Sequence, residues 1–274
     1  MFSLLKFTVP VCLILTPVAA SAGDPHLLPA GAAQSGMAYV CVMKTDPWSA
    51  FHNPAALSFA RCIMAGTAYE NRFGLRELST YTLAAIIPSS HATIGILGSR
   101  FGYHDFSRGQ ASLSCGLSLS KSLSAGIQAD LYSERTYGDY RRFSTVTFEA
   151  GVIARLNDRV TAGIHLFNPL PSALRKRDMI SSLTAGAGLN AGKGLFTGAE
   201  FEITTGGGKD LRLGMEYELS ESVWLRCGFR TSHTSFCFGF GYRLRPLIID
   251  LSFSAHDRLG ITSAITLTWI FRKN

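Results

Sequence analysis

The chain has 274 residues, 26 Lys and Arg against 19 Asp and Glu, and a formal charge of +7. Only 16% of residues are charged while 47% are apolar, against about a quarter charged in soluble domains. The basic balance comes without a Lys/Arg run interleaved with aromatics, which argues against a nucleic-acid partner.

Residues 1–22 read as a cleaved signal peptide. Lys6 gives the positive start, Val9 to Val18 a short apolar core, and Ala20-Ser21-Ala22 the small-residue cleavage site. The mature chain then starts at Gly23. Beyond the leader no apolar run approaches the ~18 residues of a spanning helix. A membrane crossing by this chain therefore has to use a β-barrel.

Residues 23–60 are the expected plug or hatch. Its distinctive part is DPWSAFHNPAALS at 46–58. Asp46 is placed to cap a helical turn, with Pro47 at its first position and Trp48 to Phe51 following. Asn53 precedes Pro54 and is pushed out of helical geometry, which ends the turn. Pro54 then starts a second turn through Ala55, Ala56 and Leu57. Upstream, Met37 to Val40 are apolar without alternation. The whole segment needs cover, either inside the barrel as a plug or beneath it as a lid.

From residue 61 to 274 the dominant period is two, the signature of strands. The segments are approximately 61–71, 79–88, 92–103, 109–121, 123–134, 142–156, 159–168, 180–190, 194–204, 209–219, 222–231, 234–245, 247–256 and 260–271. That is an even set, most of them near the 9–11 residues of a tilted membrane strand. Connections after even segments are tight, and those after odd segments are generally longer, as in RFGLREL and NPLPSALRKRDM. The expected fold is all-β: an antiparallel up-and-down membrane barrel of about 14 strands with a small helical plug. A soluble sandwich or barrel shares the same alternation and is the competing fold.

One face of each segment is apolar and the other carries the charges. In a lipid-facing barrel the charged face lines the lumen. Glu200, Glu202, Glu216 and Glu218 lie on the ninth and tenth segments, and Arg226, Arg230, Arg243 and Arg245 on the next two. These opposite fields form either a transverse gradient or a salt-bridge network bracing plug and wall. Of six cysteines, Cys12 leaves with the leader. The other five are scattered, with no CxxC. Cys227 and Cys237 fall on opposite faces, so no disulfide joins them.

Enzymatic, cofactor and metal motifs are absent from this reading. His165, His256, Asp250 and the serines of 112–124 are the residues from which a triad would be drawn, but no local motif supports one. TTGGGKD at 204–210 lacks the phosphate-loop pattern and reads as a hairpin loop.

The stretch SGMAYVCVMKTDPWSAFHNPAALS resembles the N-terminal signature of FadL-type outer-membrane proteins, nearest their PorV/PorQ-like branch in Bacteroidetes. The matching residues are Gly36, Ala38, Asp46, Trp48, Phe51, Asn53, Pro54, Ala55 and Leu57. GIHLFNPLP at 163–171 is similar to a loop start of that branch. The resemblance implies a plugged fourteen-stranded barrel in the outer membrane of a Gram-negative bacterium, surrounded by outer-membrane lipid. It implies one of two roles. The first is passive passage of a hydrophobic ligand, through an apolar pocket near Trp48 and Phe51 and a wall gap near Pro88, Gly95 or Gly98. The second is binding of secreted protein cargo or partners in type IX secretion, through the loops at 132–142 and 168–179.

Overall fold

The computed structural model of the chain describes residues 31–136, 142–169, 180–232 and 235–271. The proposed signal peptide, residues 23–30 of the plug segment, and most of the two loops proposed for cargo lie outside the described residues.

Fourteen antiparallel strands close into one barrel. They are β1 (Ile63–Asn71), β2 (Ser79–Pro88), β3 (Thr93–Gly102), β4 (Phe106–Ser118), β5 (Leu123–Thr136), β6 (Arg142–Arg155), β7 (Val160–Phe167), β8 (Ser182–Gly192), β9 (Leu195–Thr204), β10 (Lys209–Ser220), β11 (Val223–Arg230), β12 (Ser235–Leu244), β13 (Leu247–His256) and β14 (Gly260–Phe271). Each strand pairs with its sequence neighbours. β1 closes on β14 from Ile63↔Phe271 to Asn71↔Ser263, so no sheet edge is left open. Two-residue turns (Lys193–Gly194, Glu221–Ser222, Arg245–Pro246) occur at one end only, and the longest connection, 168–181, is at the other. Lys193 and Gly194 both sit at positive φ, the geometry a two-residue hairpin demands.

Alternation sorts the side chains by chemistry. Leu83, Ile127 and Phe238 point outward and are 67%, 66% and 59% exposed, while Asp130, Thr147 and Ser252 point inward and are almost completely buried. In water this arrangement would be inside out. In lipid it is the favourable one, since every backbone group is paired within the closed sheet. The competing soluble sandwich is thereby set aside.

Residues 31–60 lie in the lumen, a few residues in from the short-turn end. A single-turn helix, α1 (Ala32–Gly36), opens the segment. It was not expected from the sequence, and at five residues it is held by the wall rather than by its own propensity. The two expected turns are both present, as 3-10 rather than α turns: Trp48–Phe51 and Pro54–Phe59. Asn53 is extended and its side chain accepts from the Ala55 amide, capping the second turn with Pro54 at its first position.

Candidate functional site

The plug is seated on glycines. Along the inner wall, Gly116, Gly126 and Gly151 stand opposite one another on β4, β5 and β6. Gly163 faces Gly186 on β7 and β8. Gly188, Gly198, Gly214 and Gly228 continue the belt across β8 to β11. A Cβ at Gly126 would fall under 3.0 Å from the Pro54 carbonyl, one at Gly151 from the Asn53 side chain, one at Gly163 from the Val42 carbonyl, and one at Gly228 from Met37 and Ala38. Here the missing side chain is what lets plug backbone lie directly against wall backbone.

Polar side chains then pin the plug at fixed points. Glu200 Oε1 accepts from the Cys41 and Val42 amides, each at 2.5 Å. Thr266 accepts from the Ala32 amide at 2.7 Å, and Ser35 and Ser252 hydroxyls meet at 2.7 Å. Trp48 Nε1 donates to Thr268 at 2.8 Å. Asn53 donates to the Val42 carbonyl at 2.6 Å, which ties the two halves of the plug together. Asp46 does the same locally, accepting from Gln34 at 2.5 Å and from the Ser49 amide and hydroxyl at 3.1 and 2.7 Å.

Most of the expected lumen charges converge, with partners the sequence reading did not assign. Arg212 joins Glu202, Asp210 and Glu200. Arg230 adds to Asp210 at 2.9 Å. Arg226 bridges Glu216 and Asp250 at 2.6 Å each, and Lys44 of the plug reaches Glu216 at 2.7 Å. Opposite charges are thus paired across neighbouring strands and from plug to wall. Three expected members stand apart. Glu218 is exposed at the short-turn end of β10, Arg245 is exposed in the turn after β12, and Arg243 stacks on Trp224 at 4.6 Å. Glu218 and Arg243 keep their inward parity within β10 and β12, while Arg245 lies in the turn beyond β12, where alternation no longer applies.

A second polar cluster lines β4 to β7. Asp130 accepts from Ser112 at 2.5 Å, Gln128 at 2.9 Å and Gln110 at 3.2 Å, and His165 Nε2 lies 2.9 Å from Glu149. The triad candidates are therefore held apart: His165 by Glu149, Asp250 by Arg226, and His256 by Asp257.

The inner wall changes character at β1 to β3. There Met64, Ala68, Ala84, Ile86 and Leu97 face inward and pack on Trp48, Phe51 and Leu57. Trp48 and Phe51 meet edge to face at 6.0 Å. The expected apolar pocket is thus filled by the plug's own side chains. A small cleft remains beside it, lined by Gly31, Ala32, Ala68, Tyr69, Glu70, Thr80, Thr82 and Ala264. The expected wall gap is absent: β2 and β3 pair without interruption from Thr80↔Phe101 to Pro88↔Thr93.

Burial pushes the Cys41 thiol above its ordinary 9.0, with Glu200 adding to the effect, and burial with Glu70 raises the Tyr39 hydroxyl above its ordinary 10.0. Folding thus favours the neutral forms. Their contribution is complete below about pH 9 and is lost as the pH rises through the folded values. Iodoacetamide should leave buried Cys41 unmodified at pH 8, read by peptide mass mapping. Modification at pH 8 as fast as in the unfolded chain would contradict this.

No family model matches the sequence, and no curated protein matches it. Solved structures do match in fold. A FadL homologue of Pseudomonas aeruginosa aligns at TM-score 0.67 and 14% identity, over 92% of this chain and 100% of the other. The Ralstonia pickettii toluene transporter TbuX aligns at 0.70 and 10%, over 89% and 98%. The P. putida toluene transporter TodX aligns at 0.69 and 12%, over 89% and 99%.

Proposed function

We propose that this chain is an outer-membrane barrel for passive passage of a hydrophobic small molecule, with residues 23–60 as its plug. The observation that carries the proposal is the contrast along the inner wall. Most of the lumen is polar and holds the plug by hydrogen bonds and ion pairs. The short-turn half of the sector from β1 to β3 presents Met64, Ala68, Ala84, Ile86 and Leu97 and meets the plug through Trp48, Phe51 and Leu57. A hydrophobic solute would find a matching surface there. The likeness in fold to proteins named as toluene transporters supports the same reading.

On this reading the short-turn end faces the periplasm. The solute passes by small displacements of Trp48 and Phe51 rather than by expulsion of the plug, whose other side is fixed on glycines. The second role, binding of secreted cargo, is an outcome of the same test. Cells with an intact outer membrane should accumulate the hydrophobic dye N-phenylnaphthylamine faster when they express the protein than when they carry an empty vector. Trp48→Phe, which loses the bond to Thr268, should change that rate several-fold. Equal accumulation with and without the protein, together with recovery of a stoichiometric secreted protein on purification, would replace transport by cargo binding.

A further inference from the structure

The outer wall carries a charge asymmetry that the transport reading does not use. Every Asp and Glu of the described strands alternates to the inside. Arg100, Arg135 and Lys209 alternate to the outside, all at the long-loop end of their strands and all exposed. None of the three pairs with a carboxylate among the described residues. The apolar belt begins directly below them, with Ile96, Leu113 and Leu131.

Two of the three lie on one patch. Across β2 to β5, Tyr81 stands opposite Arg100, Arg100 opposite Gly109, and Gly109 opposite Ser133. Arg135 lies two residues beyond Ser133, opposite Ser107. Gly109 leaves a notch beside Arg100, and the Ser133 hydroxyl borders it, 2.8 Å from where a Cβ would sit. Tyr81 is exposed and packs on Tyr69 with ring centroids 5.1 Å apart. Amphipathic rings of this kind settle at headgroup depth.

We infer that this patch seats a phosphate-bearing lipid headgroup. A guanidinium at the edge of an apolar belt, with no carboxylate partner among the described residues, is open to an anion. The anion available at that depth is a lipid phosphate, whose oxygens match the guanidinium fork. The acyl chains of the same lipid would lie on Ile96, Leu113 and Leu131. The inference rests on the barrel and its faces and not on what passes through the lumen.

The test is native mass spectrometry of the purified protein titrated with lipid A, with lipid A stripped of its phosphates, and with inorganic phosphate. Lipid A should bind, and Arg100→Ala/Arg135→Ala should weaken it about 30-fold, given the attraction of basic groups to an anionic leaflet. Arg100→Lys/Arg135→Lys should recover most of the binding, which separates charge loss from misfolding. Equal binding by the alanine variant, or equal binding of the stripped lipid, would overturn the inference. So would inorganic phosphate competing as well as the lipid, since that marks an ion site rather than a lipid seat.

Discussion

Gly126→Leu should drive the plug off its seat while leaving the barrel closed. Even a Cβ at Gly126 would fall under 3.0 Å from the Pro54 carbonyl carbon and oxygen and from the Ala55 nitrogen. These are backbone atoms with no rotamer to move away. Gly116 and Gly151 flank the position, so their plug contacts move with it. Forcing a leucine into this space should cost about 3 kcal/mol of plug–wall interaction, the upper end of the usual overpacking range. Lys44 is the natural reporter. It is nearly buried and paired to Glu216, so trypsin should spare it in the parent chain and cleave after it in the variant. Heat-dependent gel mobility should show the barrel still folded. Continued protection of Lys44 would mean that the glycine belt does not hold the plug. Gly126→Ala is the milder form of the test if the leucine chain fails to assemble.

Glu200→Ala should loosen the middle of the plug and spare its ends. One carboxylate oxygen accepts two buried amides, those of Cys41 and Val42. Without it both donors lose their partner in a site closed to water, at about 1–3 kcal/mol each. Arg212 keeps Glu202 and Asp210, so the remainder of the charge network survives. Hydrogen exchange over residues 40–44 should accelerate at least about 30-fold. Glu200→Gln is the informative control, because an amide oxygen still offers both lone pairs to the same two donors. It should stay within a few-fold of the parent. Equal acceleration in both variants would show that the negative charge matters, rather than the acceptor, and unchanged exchange in the alanine variant would sink the idea.

The strands were legible because their residues state the answer locally. In β14, Ile261, Ile265, Leu267 and Trp269 alternate with Thr262, Thr266 and Thr268, and that pattern has one consistent solution once a sheet must bury one face. Asn53-Pro54 was legible as a break for the same reason: the steric limit before a proline and its fixed φ act within two residues. That Asn53 also caps the second turn was not read. Cys227 and Cys237 were separable by parity alone, and both are free. The belt was not read, because a glycine has no side chain to sort and alternation passes over it. Its signal was present, as a glycine at an inward position on strand after strand. Arg245 falls in the turn after β12, where parity no longer sorts side chains. The helix α1 was missed because AAQSG carries neither cap nor charge, and its hydrogen bonds run to Thr266 and Ser252, more than 200 residues away.

Strand number, the face each strand residue takes and the place of the two plug turns follow from neighbours one to four residues apart, so the chain alone sets them. Tertiary structure decided the rest. Register set Gly116 beside Gly126 and Gly151, and barrel closure brought Glu200 to Cys41 and Lys44 to Glu216. The same closure filled the apolar sector with Trp48 and Phe51 instead of leaving it open. Those outcomes depend on which distant residues share a height on the wall. No local pattern carries that information, because shifting one strand by two residues preserves every face and changes every partner.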